Sequence, residues 1–94
     1  MSAMKLRADG QPYVALRNNP DNSTESQDRY IVKLQSATDE WLYGETKDMI
    51  WLSAYASNNP RSCYHWRCDA TYVEWKRRGN VDQYGKAHAE VSRG

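Results

Sequence analysis

Residues 60–79 constrain the fold most, because helix boundary signals stand at both ends of this segment. Asn59 is a residue type that caps helix N-termini, and Pro60 suits the first helical position, where no N–H donor is needed. Gly79 suits the position after a helix C-terminus, because glycine adopts positive φ without a steric penalty. The basic residues just before it favour the negative end of the helix dipole. The sequence therefore predicts a helix over residues 60–78.

Two apolar stripes run along this predicted helix when side chains are spaced at about 100° per residue. The first is nearly uncharged and is assigned to the core; it contains Cys63, Trp66, Ala70 and Val73. The second combines rings with cations, as protein interfaces do. We therefore expect partner-binding residues on and beside it: Arg61, Tyr64, His65, Tyr72, Trp75, Lys76, Arg77 and Arg78. The alternative is that the second stripe packs on another helix of the same chain.

A strand is the competing interpretation of the start of this segment, since residues 63–68 also alternate between two faces. The two cysteines distinguish the alternatives. Residues five apart on one helix point about 140° away from each other, so Cys63 and Cys68 could not form a disulfide there. On a hairpin the same pair could form one.

The N-terminal third of the chain predicts an antiparallel sheet. The dipeptide Asp9-Gly10 is a strong turn signal, which predicts a hairpin over residues 5–17. Residues 18–28 contain no apolar side chain and predict an exposed loop. Apolar residues alternate over residues 29–35, which predicts the clearest strand. Together these segments predict three antiparallel strands.

The middle of the chain is compatible with both helix and strand. Residues 36–44 resemble a capping box ahead of a short helix that stops at Gly44, with a turn and a strand as the alternative. Thr46 is a candidate cap for a second helix over residues 47–57. The apolar residues of that segment cover nearly every direction, so a buried strand also fits. The helical interpretation predicts a helical hairpin with residues 60–78.

The predicted fold class is therefore α+β, a three-stranded antiparallel sheet packed by a C-terminal helical hairpin, with an all-β fold as the main alternative. The 94 residues fit one small domain with one modest core and a frayed tail over residues 90–94. Hydrophobic residues make up 39% of the chain and aromatic residues 12%. The core must therefore depend on the large rings of Trp and Tyr.

Charge and hydropathy limit the classes of partner. The net charge of +1 is not that of a strongly basic nucleic-acid-binding domain, although residues 59–94 carry seven basic and four acidic side chains. No N-terminal apolar run resembles a signal peptide, and no segment is long enough to span a membrane. We therefore expect a cytoplasmic protein without membrane association, with both cysteines reduced.

Metal binding and catalysis have little support in the residue pattern. Cys63, His65 and Cys68 are metal-ligating types, but they lack the second pair of ligands that structural zinc sites use, and they diverge on a helix. His65 and Asp69 could pair on a helix, yet a surface ion pair gives the same pattern. No nucleotide-binding glycine pattern occurs. We therefore predict a non-enzymatic protein without metal or cofactor.

Binding is the class of function that remains. The rings and cations of residues 60–78 predict contacts with another protein, either a host protein or a second copy in a homodimer. The small size and the lack of catalytic motifs suit an inhibitor or adaptor of the kind that phages and other mobile elements encode. The alternative partner is single-stranded nucleic acid, with bases stacked on Tyr64, Tyr72 and Trp75 beside the basic run 76–78.

Overall fold

A computed structural model describes residues 6–13, 22–59 and 62–93 of the chain. Within these ranges the elements are α1 (Thr24–Ser36), α2 (Asp39–Tyr55), α3 (Cys63–Arg77) and α4 (Asp82–Arg93). The described residues form no strand or sheet. The molecule is therefore a helical bundle, and both the predicted α+β class and its all-β alternative are wrong.

The predicted strand over residues 29–35 lies inside α1. The buried positions of this helix are Gln27, Ile31 and Leu34, whose spacing of four and three residues is helical. Because Gln27 is polar, the apolar pattern in the sequence starts one turn after the buried face of the helix does. The apolar positions that remain are too few to indicate a helix. The prediction of a loop over residues 18–28 is wrong for residues 24–28, because α1 begins at Thr24. Residues 18–21 lie outside the described residues.

Within residues 6–13, the described part of the predicted hairpin over residues 5–17, the chain forms a tight turn. Gly10 occupies that turn with a φ of +88°, as the Asp-Gly signal indicates. One isolated antiparallel bridge joins Leu6 to Pro12, and proline has no N–H with which to extend a ladder. Residues 14–17, the rest of the expected second strand, lie outside the described residues.

Asp28 of α1 fastens this turn to the bundle. One of its carboxylate oxygens accepts the Ala8 N–H at 3.0 Å, and the other accepts the Tyr13 hydroxyl at 2.7 Å. The hydrogen bond to the carboxylate raises the pKa of Tyr13. An acidic residue that the sequence placed in a loop is therefore a helix residue with a structural contact.

The single helix α2 replaces the two elements predicted for residues 36–57. Thr38 caps its N-terminus with its side chain. Gly44 does not end the helix, and a Cβ added there would meet no atom within 4 Å. Thr46 does not begin a new helix, because its hydroxyl donates to the Leu42 carbonyl one turn earlier, at 2.6 Å.

The prediction of a helix in the cysteine-containing segment is confirmed as α3. The predicted N-cap is wrong, because Ser62 rather than Asn59 caps the helix, which begins at Cys63; Pro60 and Arg61 lie outside the described residues. Gly79 has a φ of +73° immediately beyond the C-cap, as the sequence predicts. The Asn80 N–H donates to the Trp75 carbonyl at 2.9 Å and satisfies one of the last carbonyls.

The helix α3 contacts each of the other three described helices, and α2 packs on both α3 and α4. Ring and aliphatic side chains fill the centre of the bundle: Ile31, Leu34, Leu42, Ala70 and Trp75. The C-terminal residues 90–93, predicted as a frayed tail, form the last turn of α4. None of the four described helices combines the length and the apolar character that crossing a bilayer requires.

Candidate protein-binding surface

The predicted site residues of α3 do not share one surface in the structure. Trp75 differs most from its predicted role. Its side chain is 1% exposed and packs among the core residues of the bundle. Its Nε1 donates to the Thr46 hydroxyl at 2.9 Å, so the polar edge of the ring is also satisfied internally. Trp75 is therefore a core residue rather than a surface contact.

Arg78 connects three segments of the chain. Its Nη2 donates to the carbonyls of Leu34 and Ala37, at 2.8 and 2.7 Å, and its Nη1 donates to Asp39. Its Nε donates to a carboxylate oxygen of Glu74 at 2.6 Å. The guanidinium therefore satisfies the last carbonyls of α1 at its junction with α2, which leaves it little capacity for a partner.

Arg77 forms a two-point pair with the same acid. Its Nε and Nη2 donate to the two oxygens of Glu74 at 2.8 and 2.7 Å. Burial alone would raise the pKa of Glu74, but the hydrogen bonds from Arg77 and Arg78 outweigh it and hold that pKa below its ordinary value. The basic end of α3 is thus an internal ion cluster as well as a charged surface.

His65 fastens the beginning of α3 to the end of α2. Its Nε2 lies 3.1 Å from the Ala56 carbonyl and 3.0 Å from the Asn59 carbonyl. Two carbonyl acceptors require the proton on Nε2, so Nδ1 accepts the Ser53 hydroxyl at 2.9 Å. His65 therefore holds the connection between α2 and α3 in place.

Tyr72 and Lys76 line a cleft of about 480 Å³ between the N-terminal turn and α3. Tyr72 is 39% exposed, and its ring packs edge-on against Tyr84 with the centroids 5.2 Å apart. Arg7 and Asp69 also line the cleft, which therefore presents both signs of charge. These two predicted residues are accessible, but they do not lie beside an exposed Trp75.

Tyr64 lies in a groove of about 370 Å³ at the α2–α3 connection. Tyr55 also lines this groove, and the remaining lining residues are small or polar: Ala56, Asn58, Asn59 and Ser62. Arg61, which the sequence placed beside Tyr64, is outside the described residues. Among the predicted site residues that the structure describes, the half-buried Tyr64 is the one that shares this groove with an exposed aromatic residue, Tyr55.

The largest exposed rings lie on α2, where the sequence predicted burial. Trp51 is 55% exposed and Tyr55 is 79% exposed. Their rings stack with the centroids 5.4 Å apart and the planes 10° from parallel. We call Trp51, Tyr55 and Tyr64 the aromatic hairpin surface, because they lie at the hairpin of α2 and α3.

A signal for this surface exists in the sequence of α2. The buried residues Leu42, Thr46, Met49 and Ile50 form one stripe, and Trp51 with Tyr55 lies about 180° around the helix from it. The buried and exposed faces can be recognised in the sequence only if α2 is treated as one helix that begins at Asp39. A helix that starts at residue 47 has too few turns to define a buried face.

The aromatic hairpin surface has little charge. No Asp, Glu, Lys or Arg occurs from residue 49 to residue 59, so the last seven residues of α2 and the four residues that follow it are uncharged, and the next charged residue along the chain is Arg61. Asn58 and Asn59 supply amide groups beside the rings. Rings at the centre with uncharged hydrogen-bonding groups at the edge are the composition found in the buried parts of protein interfaces.

No group of three or more His, Cys, Asp or Glu side chains in the described part of the chain could hold a metal ion. Cys63 and Cys68 are not bonded to each other, as their positions on one helix require. Comparison with protein-family models, with curated proteins and with solved structures finds no match for this chain.

Proposed function

We propose that this chain is a non-enzymatic binding protein whose aromatic hairpin surface contacts another protein. The observation that carries the proposal is the stacked pair of Trp51 and Tyr55, which are 55% and 79% exposed. Trp and Tyr are the residue types that most often supply the binding energy of protein interfaces. Two such rings, one helical turn apart, form an uncovered apolar patch on a small domain.

The stack also reduces the entropic cost of association. Side chains that are already held in one arrangement lose less rotamer freedom when a partner covers them. Trp51 and Tyr55 hold each other, and Tyr55 and Tyr64 line the same groove. A partner would therefore meet preorganised rings rather than rings that it must order.

A protein partner fits this surface better than single-stranded nucleic acid. Stacked bases need a basic track for the phosphates, and residues 49–59 contain no cation. The basic track predicted at residues 76–78 no longer adjoins an exposed Trp75, and Arg77 and Arg78 bind Glu74. The charge distribution thus supports the protein-binding interpretation, in which the chain acts as an inhibitor or adaptor.

The experiment is affinity capture from a lysate of the source cell with four forms of the purified protein: wild type, Trp51→Ser, Tyr55→Ser and Trp41→Ser. Trp41 is the matched control because it is also exposed on α2 but lies at the opposite end of the helix. We expect one set of proteins to be captured by wild type and Trp41→Ser and lost with the other two variants. Identical capture by all four forms would contradict the proposal.

Self-association is measured on the same variants by light scattering coupled to gel filtration. A wild-type dimer that becomes monomeric in Trp51→Ser and Tyr55→Ser would identify a second copy of the chain as the partner. Circular dichroism spectra of the variants must match that of wild type, because both side chains are exposed and contribute little to the core.

A further inference from the structure

A basic cleft between α1, α2 and α3 shares no residue with the aromatic hairpin surface. Its volume is about 310 Å³, at the lower end of the range of roughly 300–1,000 Å³ typical of small-molecule pockets. The lining residues come from all three helices: Ser26, Arg29, Tyr30, Lys33, Glu45 and Arg67. Three of the six are cations and one is an acid, a formal excess of two positive charges.

Arg67 is the unusual member of this cleft. Its guanidinium lies 5.0 Å from the centroid of the Tyr30 ring and 5.5 Å from that of the Trp66 ring. Aromatic faces attract a cation but offer no hydrogen-bond acceptor to its N–H groups in the plane of the guanidinium. The Nε of Arg67 is buried and has no hydrogen-bond partner among the described residues. No described carboxylate lies within ion-pair distance of the guanidinium.

A buried donor without an acceptor is costly, and native structures contain few of them. An arginine remains charged under all ordinary conditions, so deprotonation cannot relieve the cost. Arg78, which is also half-buried, shows the contrast, because its guanidinium has two carboxylates and two carbonyls as acceptors. The cleft beside Arg67 therefore lacks an acceptor that a bound anion would supply.

The neighbouring charges favour an anion over a neutral ligand. Arg29 and Lys33 are exposed and lie one turn apart on α1, and neither forms an ion pair with a described residue. Glu45 is the one described acid that lines the cleft, and its Oε2 accepts the Tyr30 hydroxyl at 2.8 Å. The Glu45 carboxylate is therefore paired with the Tyr30 hydroxyl, and Glu45 forms no ion pair with Arg67.

We propose that this cleft binds a phosphate group, either inorganic phosphate or the phosphate of a small phosphomonoester. A phosphate dianion balances the excess of two positive charges, whereas a carboxylate balances one. The planar fork of Arg67 can donate two parallel hydrogen bonds to phosphate oxygens, and the exposed Arg29 and Lys33 can close over the anion. Binding there supplies an acceptor to the buried Nε of Arg67, which has no hydrogen-bond partner among the described residues.

The test measures the Kd for inorganic phosphate, glycerol phosphate and acetate by isothermal titration calorimetry at constant pH and ionic strength. We expect phosphate or its ester to bind and acetate to bind at least about tenfold more weakly, because a charge-assisted hydrogen bond is lost. Tighter binding of glycerol phosphate would identify an ester as the ligand class, and tighter binding of inorganic phosphate would identify the free anion.

The Arg67→Gln variant should weaken phosphate binding by at least about tenfold. Because Arg67 also packs on two rings, the double variant Arg29→Gln/Lys33→Gln tests the same cleft from two exposed positions and should weaken binding as well. Lys86→Gln is the matched control, because it removes one exposed charge from α4 and should leave the Kd unchanged. Equal binding of phosphate and acetate, or an unchanged Kd in both cleft variants, would overturn the proposal.

Discussion

The indole N–H of Trp75 donates a hydrogen bond to the hydroxyl of Thr46, 2.9 Å away, and both side chains are buried. The Thr46 hydroxyl in turn donates a hydrogen bond to the Leu42 carbonyl of the same helix. This chain of two hydrogen bonds joins α3 to α2 at the centre of the bundle. The sequence pattern assigned Trp75 to a binding surface, whereas in the structure Trp75 holds the core together.

Replacement of Trp75 should therefore affect stability rather than binding. Trp75→Ala removes a buried ring and should lower the free energy of unfolding by about 3–5 kcal/mol, as cavity-forming aromatic substitutions do. Trp75→Phe retains most of the apolar volume and loses only the hydrogen bond, so it should cost less. Urea denaturation followed by circular dichroism measures both values. A Trp75→Ala protein as stable as wild type would show that the ring is not in the core.

Two glycines of contrasting conformation provide a test of the helix boundaries. Gly44 lies inside α2 with open space around it, so Gly44→Ala should raise the free energy of unfolding by about 0.5–1 kcal/mol. Gly79 has a φ of +73°, so Gly79→Ala should lower the same quantity by about 1–2 kcal/mol. Thermal or urea denaturation measures both effects. A destabilising Gly44→Ala would mean that α2 is interrupted there, as the sequence had suggested.

The ion cluster around Glu74 should make stability depend on pH. The pKa of Glu74 is lowered in the folded state, because the hydrogen bonds from Arg77 and Arg78 outweigh the effect of burial. Its stabilising contribution is therefore complete above the unfolded pKa of about 4.5 and is lost as the pH falls through the lower folded pKa. Urea denaturation between pH 7 and pH 3 should show this decline.

The variant Glu74→Gln is the control for this pH dependence. It should lower the free energy of unfolding at pH 7, because three guanidinium hydrogen bonds lose their charged acceptor. It should also flatten the decline below pH 4.5 relative to wild type. An equally steep decline in wild type and variant would assign the acid sensitivity to other carboxylates.

Tryptophan accessibility provides a direct check of which rings are exposed. Trp41 and Trp51 are exposed, whereas Trp66 and Trp75 are buried. Acrylamide should therefore quench part of the fluorescence strongly and part weakly. The Trp51→Phe variant should lose much of the strongly quenched part, while Trp75→Phe should lose weakly quenched emission. The reverse assignment would contradict the orientation of α2 in the bundle.

Local signals in the sequence were sufficient to predict α3 and its C-terminal boundary, but they placed its N-cap at Asn59 instead of Ser62. Its C-terminal glycine acts through a backbone conformation that few other residues adopt, so Gly79 marks the boundary whatever the tertiary packing. For α1 the signals were insufficient, since the buried stripe begins with Gln27, whose amide donates to the Asn22 carbonyl. A polar side chain becomes a core residue only through a partner that the pattern does not reveal.

The location of the binding surface depended on packing that one helix cannot reveal. Both α2 and α3 have rings on more than one face, so the sequence alone could not show which rings other helices cover. The helix α3 contacts three neighbours, which buries Trp66 and Trp75 on two of its faces. The outer face of α2 keeps Trp51 and Tyr55 exposed. Tyr64 is the predicted site residue that the proposed surface retains.

The most direct test of the proposed function is photo-cross-linking from inside the aromatic hairpin surface. Tyr55→p-benzoylphenylalanine places the reactive group on the most exposed of its rings, and Trp41→p-benzoylphenylalanine is the control at the other end of α2. Irradiation in source-cell lysate should give a discrete protein adduct, or a cross-linked dimer, from position 55 and none from position 41. No protein adduct at position 55, or the same adducts from both positions, would contradict the account.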